Sequence, residues 1–309
     1  MKWRPNRQLE GYAFLLPGLL GFLVFTIFPV IFALVISLTN WNLSASIFEK
    51  PPQFVGLSNY LDLFDLPIFK QVAGNMLFYV AAIVPLQTAL SLLIALGLNQ
   101  KLRGMKGFRL IYYMPVITTI VAGALVFQLM FDHDNGLINA PLWWLAETFG
   151  WRIQPPEWLT STAWSKTAVV ILTLWKNIGF TVIIFLAGLQ AIPQDLHEAA
   201  AIDGANTRQR FFNITLPLLS PTTFFVLVIL VIGSFQLFDE AFVMTRGGPA
   251  NASLTAVGAI YNTAFGNTSR MGLAAAMSWV LFIVIFMFTL LQQWLQRRWV
   301  YYEAGESDK

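Results

Sequence analysis

The amino-acid sequence predicts an all-α membrane protein with about six transmembrane helices. Three observations lead to this prediction: the composition, a series of long apolar runs, and the placement of the basic residues. Apolar residues make up 57% of the 309 residues and charged residues only 11%, whereas a water-soluble domain of this length needs far more charged surface. Aromatic residues reach 15%, which suits a chain that meets the lipid headgroup region at both ends of each span.

Six runs of the sequence are apolar and long enough to cross the hydrocarbon core, which takes about 20 helical residues for about 30 Å. They lie near Tyr12–Leu38, Val72–Leu98, Leu110–Phe131, Ala168–Leu189, Thr222–Phe238 and Leu273–Trp294. The first run is too long and too gently bounded for a cleaved secretory signal, so we interpret it as a retained span. An even number of spans places both termini on the same side of the membrane.

The basic residues predict which side that is, because Lys and Arg accumulate in the cytoplasmic segments of membrane proteins. Twelve of them flank the spans on the side of the termini: Lys2, Arg4, Arg7, Lys101, Arg103, Lys106, Arg109, Arg208, Arg210, Arg297, Arg298 and Lys309. Six lie on the other side: Lys50, Lys70, Arg152, Lys166, Arg246 and Arg270. We therefore expect both termini to be cytoplasmic, and only Lys176 falls inside a predicted span.

The residue types exclude several classes of function. The chain has no cysteine, and its formal net charge of +3 gives no support for nucleic-acid binding. It contains neither a G-x-x-x-x-G-K-[ST] phosphate-binding loop nor a His-Glu-x-x-His zinc motif. The two histidines, His133 and His197, fall on opposite sides of the predicted membrane and so cannot share a metal ion. We predict that the chain is not an enzyme and has no nucleotide-binding site, metal site or cofactor.

A loop at 132–166 is predicted to face outward. It carries five tryptophans among turn-forming prolines and glycines: Trp143, Trp144, Trp151, Trp158 and Trp164. This pattern fits a short helix in the membrane interface. An aromatic belt and a surface for a partner protein explain it equally well.

The segment 191–217, between the fourth and fifth runs, is predicted to be an organised cytoplasmic loop. Asp195 and Glu198 have the spacing of a capping box at a helix start. Three alanines follow that favour helix, and Gly204 suits the left-handed turn that ends one. We therefore predict a short exposed helix here.

A second short helix is predicted from Thr207 to Leu216, ending before Pro217. The small side chains of the first helix allow another protein to approach closely. Residue chemistry alone leaves a docking helix and a plain amphipathic connector equally open.

The same segment carries a longer motif. It reads Glu198-Ala199-Ala200, three residues, Gly204, nine residues, then Ile214-Thr215-Leu216-Pro217, and it resembles the full EAA motif of permease subunits in binding-protein-dependent ABC importers. The stretches 188–193 and 238–249, with the pairs Phe108-Arg109 and Met114-Pro115, resemble the carbohydrate branch of that family, the permeases for maltose-like oligosaccharides and glycerol phosphate. A maltose-type first subunit has extra spans and a large periplasmic insertion, so this chain is more similar to the compact six-span subunits.

The resemblance implies a type I ABC importer permease core over residues 1–309, in a bacterial inner membrane. The chain would form half of the translocation pathway of an ATP-driven importer for a sugar or sugar-like solute. The implied partners are a second permease subunit, two cytoplasmic ATPase subunits and an extracytoplasmic solute-binding protein. The residues implied in ATPase coupling are Glu198, Ala199, Ala200, Asp203, Gly204, Leu216 and Pro217.

Polar residues inside the predicted spans are candidates for the solute pathway: Lys176, Asn177, Gln236 and Gln128. A lysine at this depth either faces the interior or extends toward the interface as an anchor. The alternative function is an ion-coupled secondary transporter or a channel, which we would expect to hold buried carboxylates. A scaffold without transport would not need these residues, although inter-helix hydrogen bonds account for some of them.

Overall fold

A computed structural model of the chain describes residues 5–42, 51–100, 104–150 and 154–301. Several residues of the charge argument lie outside the described residues: Lys2, Arg4, Lys50, Lys101, Arg103, Arg152 and Lys309, together with the side chains of Arg7 and Lys106. The described part is helical, with an isolated antiparallel bridge between Thr39 and Phe54 and no β-strand.

In chain order the α-helices are α1 (Pro5–Phe22), α2 (Phe28–Ser37), α3 (Ser58–Asp65), α4 (Pro67–Leu98), α5 (Met105–Ile117), α6 (Ile120–Met130), α7 (Ala140–Phe149), α8 (Ser165–Ala191), α9 (Gln194–Ile202), α10 (Thr207–Arg210), α11 (Leu216–Leu218), α12 (Ser220–Phe235), α13 (Asp239–Thr245), α14 (Ala256–Phe265) and α15 (Met271–Gln296). Two π-helical turns, Leu23–Ile27 and Phe211–Thr215, join α1 to α2 and α10 to α11.

The predicted all-α architecture is confirmed for the described residues, with four to six candidate spans. By length and composition, four helical stretches of the described chain can cross a membrane: Phe14–Ser37, Pro67–Leu98, Ser165–Ala191 and Met271–Gln296. Two bent pairs bring the number to six if each counts as one span: Gly107–Ile117 with Ile120–Met130, and Thr207–Leu218 with Ser220–Phe235.

The third span differs from the straight helix that its sequence predicts. Its two halves, α5 and α6, meet at 98°. Thr118 and Thr119 both have extended backbone, with ψ of 139°, so they interrupt the helical ladder between the halves. Pro115 lies just before this break and has no N–H to donate to the ladder.

The chain forms two compact units. One combines Met1–Leu66 with Ile260–Val280, and in it the most apolar window of the first span has no buried residue. There the amide of Asn59 on α3 donates to the carbonyl oxygens of Ser37 at 2.7 Å and Thr39 at 2.8 Å. Asn59 thereby supplies a partner to the last carbonyl of α2 and to a carbonyl just beyond the helix.

The other unit combines Pro67–Ala259 with Leu281–Lys309. In it α4 and α8 pack along each other, α12 packs on α4, and α5 packs on α8. Its largest fully buried side chains include Tyr79, Leu172, Phe185 and Val226. These apolar contacts fix the helices that carry the candidate site.

Candidate functional site

A cavity of about 310 Å³ lies among α4, α8, α12 and α13. Its wall combines apolar side chains with eight polar ones: Gln87, Thr173, Asn177, Thr181, Ser234, Gln236, Asp239 and Glu240. Asn177 lies about 18 Å from the start of α8, at 1.5 Å per residue, and so near the middle of this 27-residue helix. The cavity therefore lies at mid-length of a predicted span.

Three of the polar wall residues come from one face of α8. Thr173, Asn177 and Thr181 are four residues apart, a spacing that aligns side chains along a helix. Thr181 Oγ1 is 2.5 Å from Ser91 Oγ and accepts a hydrogen bond of 3.3 Å from the Gln87 amide. This network ties the polar face of α8 to α4.

Two buried atoms of the wall have no hydrogen-bond partner among the described residues. They are Oε1 of Gln87, whose side chain is fully buried, and the hydroxyl of Ser234 on α12. Buried polar atoms are nearly always paired, so each unpaired one calls for an explanation.

The first turn of α13 brings two carboxyl groups, Asp239 and Glu240, to the cavity wall. Burial raises the pKa of Glu240 above its ordinary value. The neighbouring Asp239 raises it further, whereas a backbone hydrogen bond and the positive charge of Lys176 lower it. The balance is a carboxyl group that binds a proton more tightly than an exposed glutamate does.

The ammonium group of Lys176 caps the C-terminal end of α5, the first half of the broken third span. It donates hydrogen bonds to the carbonyl oxygens of Pro115 at 3.0 Å and Val116 at 2.9 Å, in the last turn of α5. It donates a third to the carbonyl oxygen of Thr118, the residue that follows α5. The last carbonyls of a helix lack partners and carry partial negative charge, so a cation there is favourable.

Gln128 performs the same task for another helix. Its amide donates to the carbonyl oxygens of Val243 at 2.8 Å and Met244 at 3.0 Å, near the C-terminal end of α13. Arg109 likewise donates to the carbonyl oxygen of Leu98, the last residue of α4, at 3.2 Å. In this unit, donors from neighbouring segments therefore satisfy the C-terminal ends of α4, α5 and α13.

The short exposed helix predicted in the segment 191–217 is present as α9, and none of its side chains is buried. Leu196 is 42% exposed and Ile202 87% exposed. Gly204 has a φ of +83°, the left-handed conformation that the sequence predicts. The N–H of Ala205 donates to Ala200 and that of Gly204 donates to Ala201, the hydrogen bonds of a Schellman motif.

Two details of the predicted loop are wrong. The residue before α9 is Pro193 and its side chain caps nothing, so Asp195 lies in the first turn and forms no capping box with Glu198. The capping box is instead at Asn206 and Gln209, before α10.

The second predicted helix does not end before Pro217, because α10, the π-helical turn and α11 continue to Leu218. The π-helical turn widens the coil directly before Pro217, which gives the proline ring room beside the preceding turn. Leu216 and Pro217 are half-buried within α11.

The structure separates the four predicted pathway residues into two pairs. Asn177 and Gln236 belong to the cavity wall, whereas Lys176 and Gln128 donate to helix ends. Five residues of the wall were not predicted from the sequence as site residues: Thr173, Thr181, Ser234, Asp239 and Glu240. The four-residue spacing of polar residues on α8 was a usable signal for the first two.

Comparison with known proteins gives consistent matches. Residues 87–301 match the family model described as "Binding-protein-dependent transport system inner membrane component". The chain is 36% identical to the probable ABC transporter permease protein YesP of Bacillus subtilis (strain 168), over 97% of this chain and 94% of the relative. It is 35% identical to the arabinooligosaccharides transport system permease protein AraP of Halalkalibacterium halodurans, over 94% of this chain and 88% of that one.

The fold also matches a solved structure. A chain in the crystal structure of a bacterial ABC transporter involved in the import of the acidic polysaccharide alginate superposes with a TM-score of 0.80. The match covers 95% of this chain and 96% of that chain, at 24% sequence identity. The likeness shows the fold of an ABC importer permease.

Proposed function

The chain belongs to the family of binding-protein-dependent transport system inner membrane components, and on that premise we propose that its cavity is the position of a sugar or sugar-like solute during import. A member of this family is a multi-pass subunit that transports and does not catalyse. One observation carries the proposal: the cavity at mid-length of α8 has a polar wall in which Gln87 and Ser234 hold unpaired buried atoms.

The chemistry of the wall suits a sugar. Amide and hydroxyl side chains both donate and accept hydrogen bonds, which matches the hydroxyl groups of a saccharide. Phe180 and Phe238 add aromatic surface, and small-molecule sites combine a mostly apolar wall with a few placed polar groups in this way. The naming of a relative for arabinooligosaccharide transport supports the same class of solute. We assign Asn177 and Gln236 to solute contact, and Lys176 and Gln128 to holding the helix ends beside the pathway.

We assign α9 and the turn after it to ATPase coupling, through Glu198, Ala199, Ala200, Asp203 and Gly204. α9 has no buried side chain and ends in a Schellman motif. Both features support a rigid surface helix to which another subunit binds. Two ATPase subunits would bind the two permease subunits from the cytoplasm, and a solute-binding protein would deliver the sugar from outside. Both termini and the loop 191–217 would then be cytoplasmic, and the loop 132–166 would face outward.

The proposed mechanism is alternating access. ATP-driven closure of the ATPases would move α9 and shift the spans between inward-open and outward-open states. The first turn of α9 and the start of α5 already share one cavity of about 580 Å³, lined by Met105, Gln194 and His197 among others. Movement of α9 would therefore bear on α5 as well as on α8, which precedes it in the chain.

Substitution of Gln87 tests the sugar site against a matched control. Gln87→Leu removes the unpaired Oε1 from the cavity, whereas Gln292→Leu removes an equally unpaired Oε1 from α15, outside the cavity wall. We expect Gln87→Leu to raise the apparent KM for saccharide uptake about tenfold, the effect of one lost hydrogen bond, and Gln292→Leu to leave it unchanged. Equal KM values for the two variants, with both assembled in the membrane, would contradict the assignment.

A further inference from the structure

The break in the third span is held by three neighbouring residues of α8. The ring of Trp175 lies 5.1 Å from that of Phe127 on α6. Lys176 caps the end of α5. At Gly179 the carbonyl oxygen of Tyr112 comes so close that an added Cβ would lie 2.2 Å from it. One turn of α8 thus contacts both halves of the broken span.

Lys176 is the polar contact among these three. It is half-buried, and in the described part of the chain no carboxylate forms an ion pair with it. Its hydrogen bonds go to backbone carbonyls on both sides of Ile117, the last residue of α5. A half-buried ammonium that loses these acceptors is left partly without hydrogen bonds, which is costly, so the carbonyls of the break and the lysine hold each other in place.

A second set of contacts links the break to the cavity through α6. Gln128 lies on α6, and its amide holds the C-terminal turn of α13 through Val243 and Met244. The N-terminal turn of α13 carries Asp239 and Glu240 in the cavity wall. Since α13 is only seven residues long, a shift at one end moves the other.

We propose that Lys176 is a positioning residue of the transport pathway: it fixes the α5–α6 break and thereby, through Gln128, the placement of Asp239 and Glu240 in the cavity wall. Lys176 acts on the cavity through the backbone that it holds and through its charge near Glu240, and not by touching the solute. The importance of this relay for transport rests on the proposed function, but the relay itself is a property of this chain that is measurable without any solute.

A cysteine-free chain allows a direct measurement of the relay. Asp239→Cys places a single thiol at the start of α13, and its reaction rate with a small cationic methanethiosulfonate reagent reports the exposure of that turn. The full transporter in membrane vesicles is used. We expect Lys176→Met and Gln128→Leu each to change this rate by about threefold or more, the range for a lost helix-end interaction. We expect the double variant to change it no more than the larger single effect, because both substitutions interrupt one relay.

The control is Lys166→Met, the same substitution on the same helix. Lys166 is also half-buried and donates to Asn75 at 3.3 Å, away from the break. Lys166→Met should leave the labelling rate of Asp239→Cys unchanged. Combined with Gln128→Leu, its effect on that rate should be additive. Should Lys176→Met not reach the membrane, Lys176→Gln, which removes the charge but keeps an amide donor, replaces it, with an expected change of the rate in the same direction but smaller.

An unchanged rate in the Lys176 variant, or multiplied effects in the double variant, would overturn the relay. Failure of the sugar assignment would appear differently, as uptake that ignores Gln87→Leu while the labelling pattern holds.

Discussion

The ammonium of Lys176 lies 2.9 Å from the carbonyl oxygen of Val116, and this hydrogen bond joins the middle of α8 to the end of α5. A lysine inside a span has two common solutions, an interior partner or extension toward the interface. Here the interior partner is a set of backbone carbonyls at a helix end. The interpretation of Lys176 as an interfacial anchor is therefore not needed to account for its charge.

Removal of the Lys176 charge is the first prediction. Lys176→Met keeps most of the side-chain volume but leaves the carbonyls of α5 without a cation, a change of up to about 2 kcal/mol in partly buried geometry. We expect uptake to fall about tenfold or more, while the subunit remains assembled with its ATPases. Uptake and co-purification of the ATPases measure the two effects. Normal uptake across a panel of saccharides would show that the lysine has no role in the pathway.

Lys176 also shows how much of the structure could be predicted from the sequence. Its position inside a span was predictable from hydropathy. Its partner was not, because Val116 lies 60 residues away and a backbone carbonyl has no residue-type signal. The 98° break at Thr118 and Thr119 could not be predicted either, since Pro115 indicates that the helix is weakened there but not the angle between its halves.

The six apolar runs and the left-handed Gly204 were predictable because each depends on local sequence. The cavity was only partly predictable from the sequence. Thr173, Asn177 and Thr181 show helical spacing in the sequence, whereas Ser234 and Glu240 join them through packing of α12 and α13 against α8. Polar residues that meet in space from distant segments leave no periodic pattern.

The backbone at Gly204 gives a second prediction. No atom lies within 4 Å of an added Cβ there, so only the positive φ of +83° opposes a side chain. Gly204→Val should strain the turn by roughly 1–2 kcal/mol and misplace α9, while Gly204→Asn, which tolerates this conformation, should not. Solute-stimulated ATP hydrolysis by the assembled transporter measures the coupling. Equal coupling in the two variants would argue against a role for the turn.

A third prediction concerns sidedness. Single cysteines at Asn206, before α10, and at Asn135, in the turn after α6, replace exposed asparagines on segments predicted to face opposite sides. In intact cells an impermeant maleimide should label Asn135→Cys and not Asn206→Cys. Inverted vesicles should show the reverse pattern. Labelling of Asn206→Cys from outside would reverse the proposed topology.

Burial of Glu240 gives a fourth prediction, on pH. Because burial raises the pKa of Glu240, the folded protein keeps a proton that the unfolded chain releases. The carboxyl group therefore favours folding below the ordinary glutamate pKa, and this contribution is lost as the pH rises through the raised value.

Glu240→Gln, which mimics the neutral carboxyl group, should match the unsubstituted transporter in Tm near about pH 4 and exceed it near about pH 8. Thermal unfolding of the detergent-purified assembly measures the difference. Glu147→Gln, on an exposed position of α7, is the matched control and should show no such trend. A Tm difference independent of pH would show that burial does not raise the pKa of the Glu240 carboxyl group.

The central claim is that this chain moves a sugar by coupling to ATP hydrolysis in a partner subunit. Its most direct test is uptake of labelled saccharides, among them arabinooligosaccharides, into proteoliposomes that contain the full transporter, with ATP inside and the solute-binding protein outside. We predict uptake that requires both ATP and the binding protein and that persists when ionophores collapse all ion gradients. Uptake that proceeds without ATP and stops with the ionophores would instead identify an ion-coupled transporter and contradict the account.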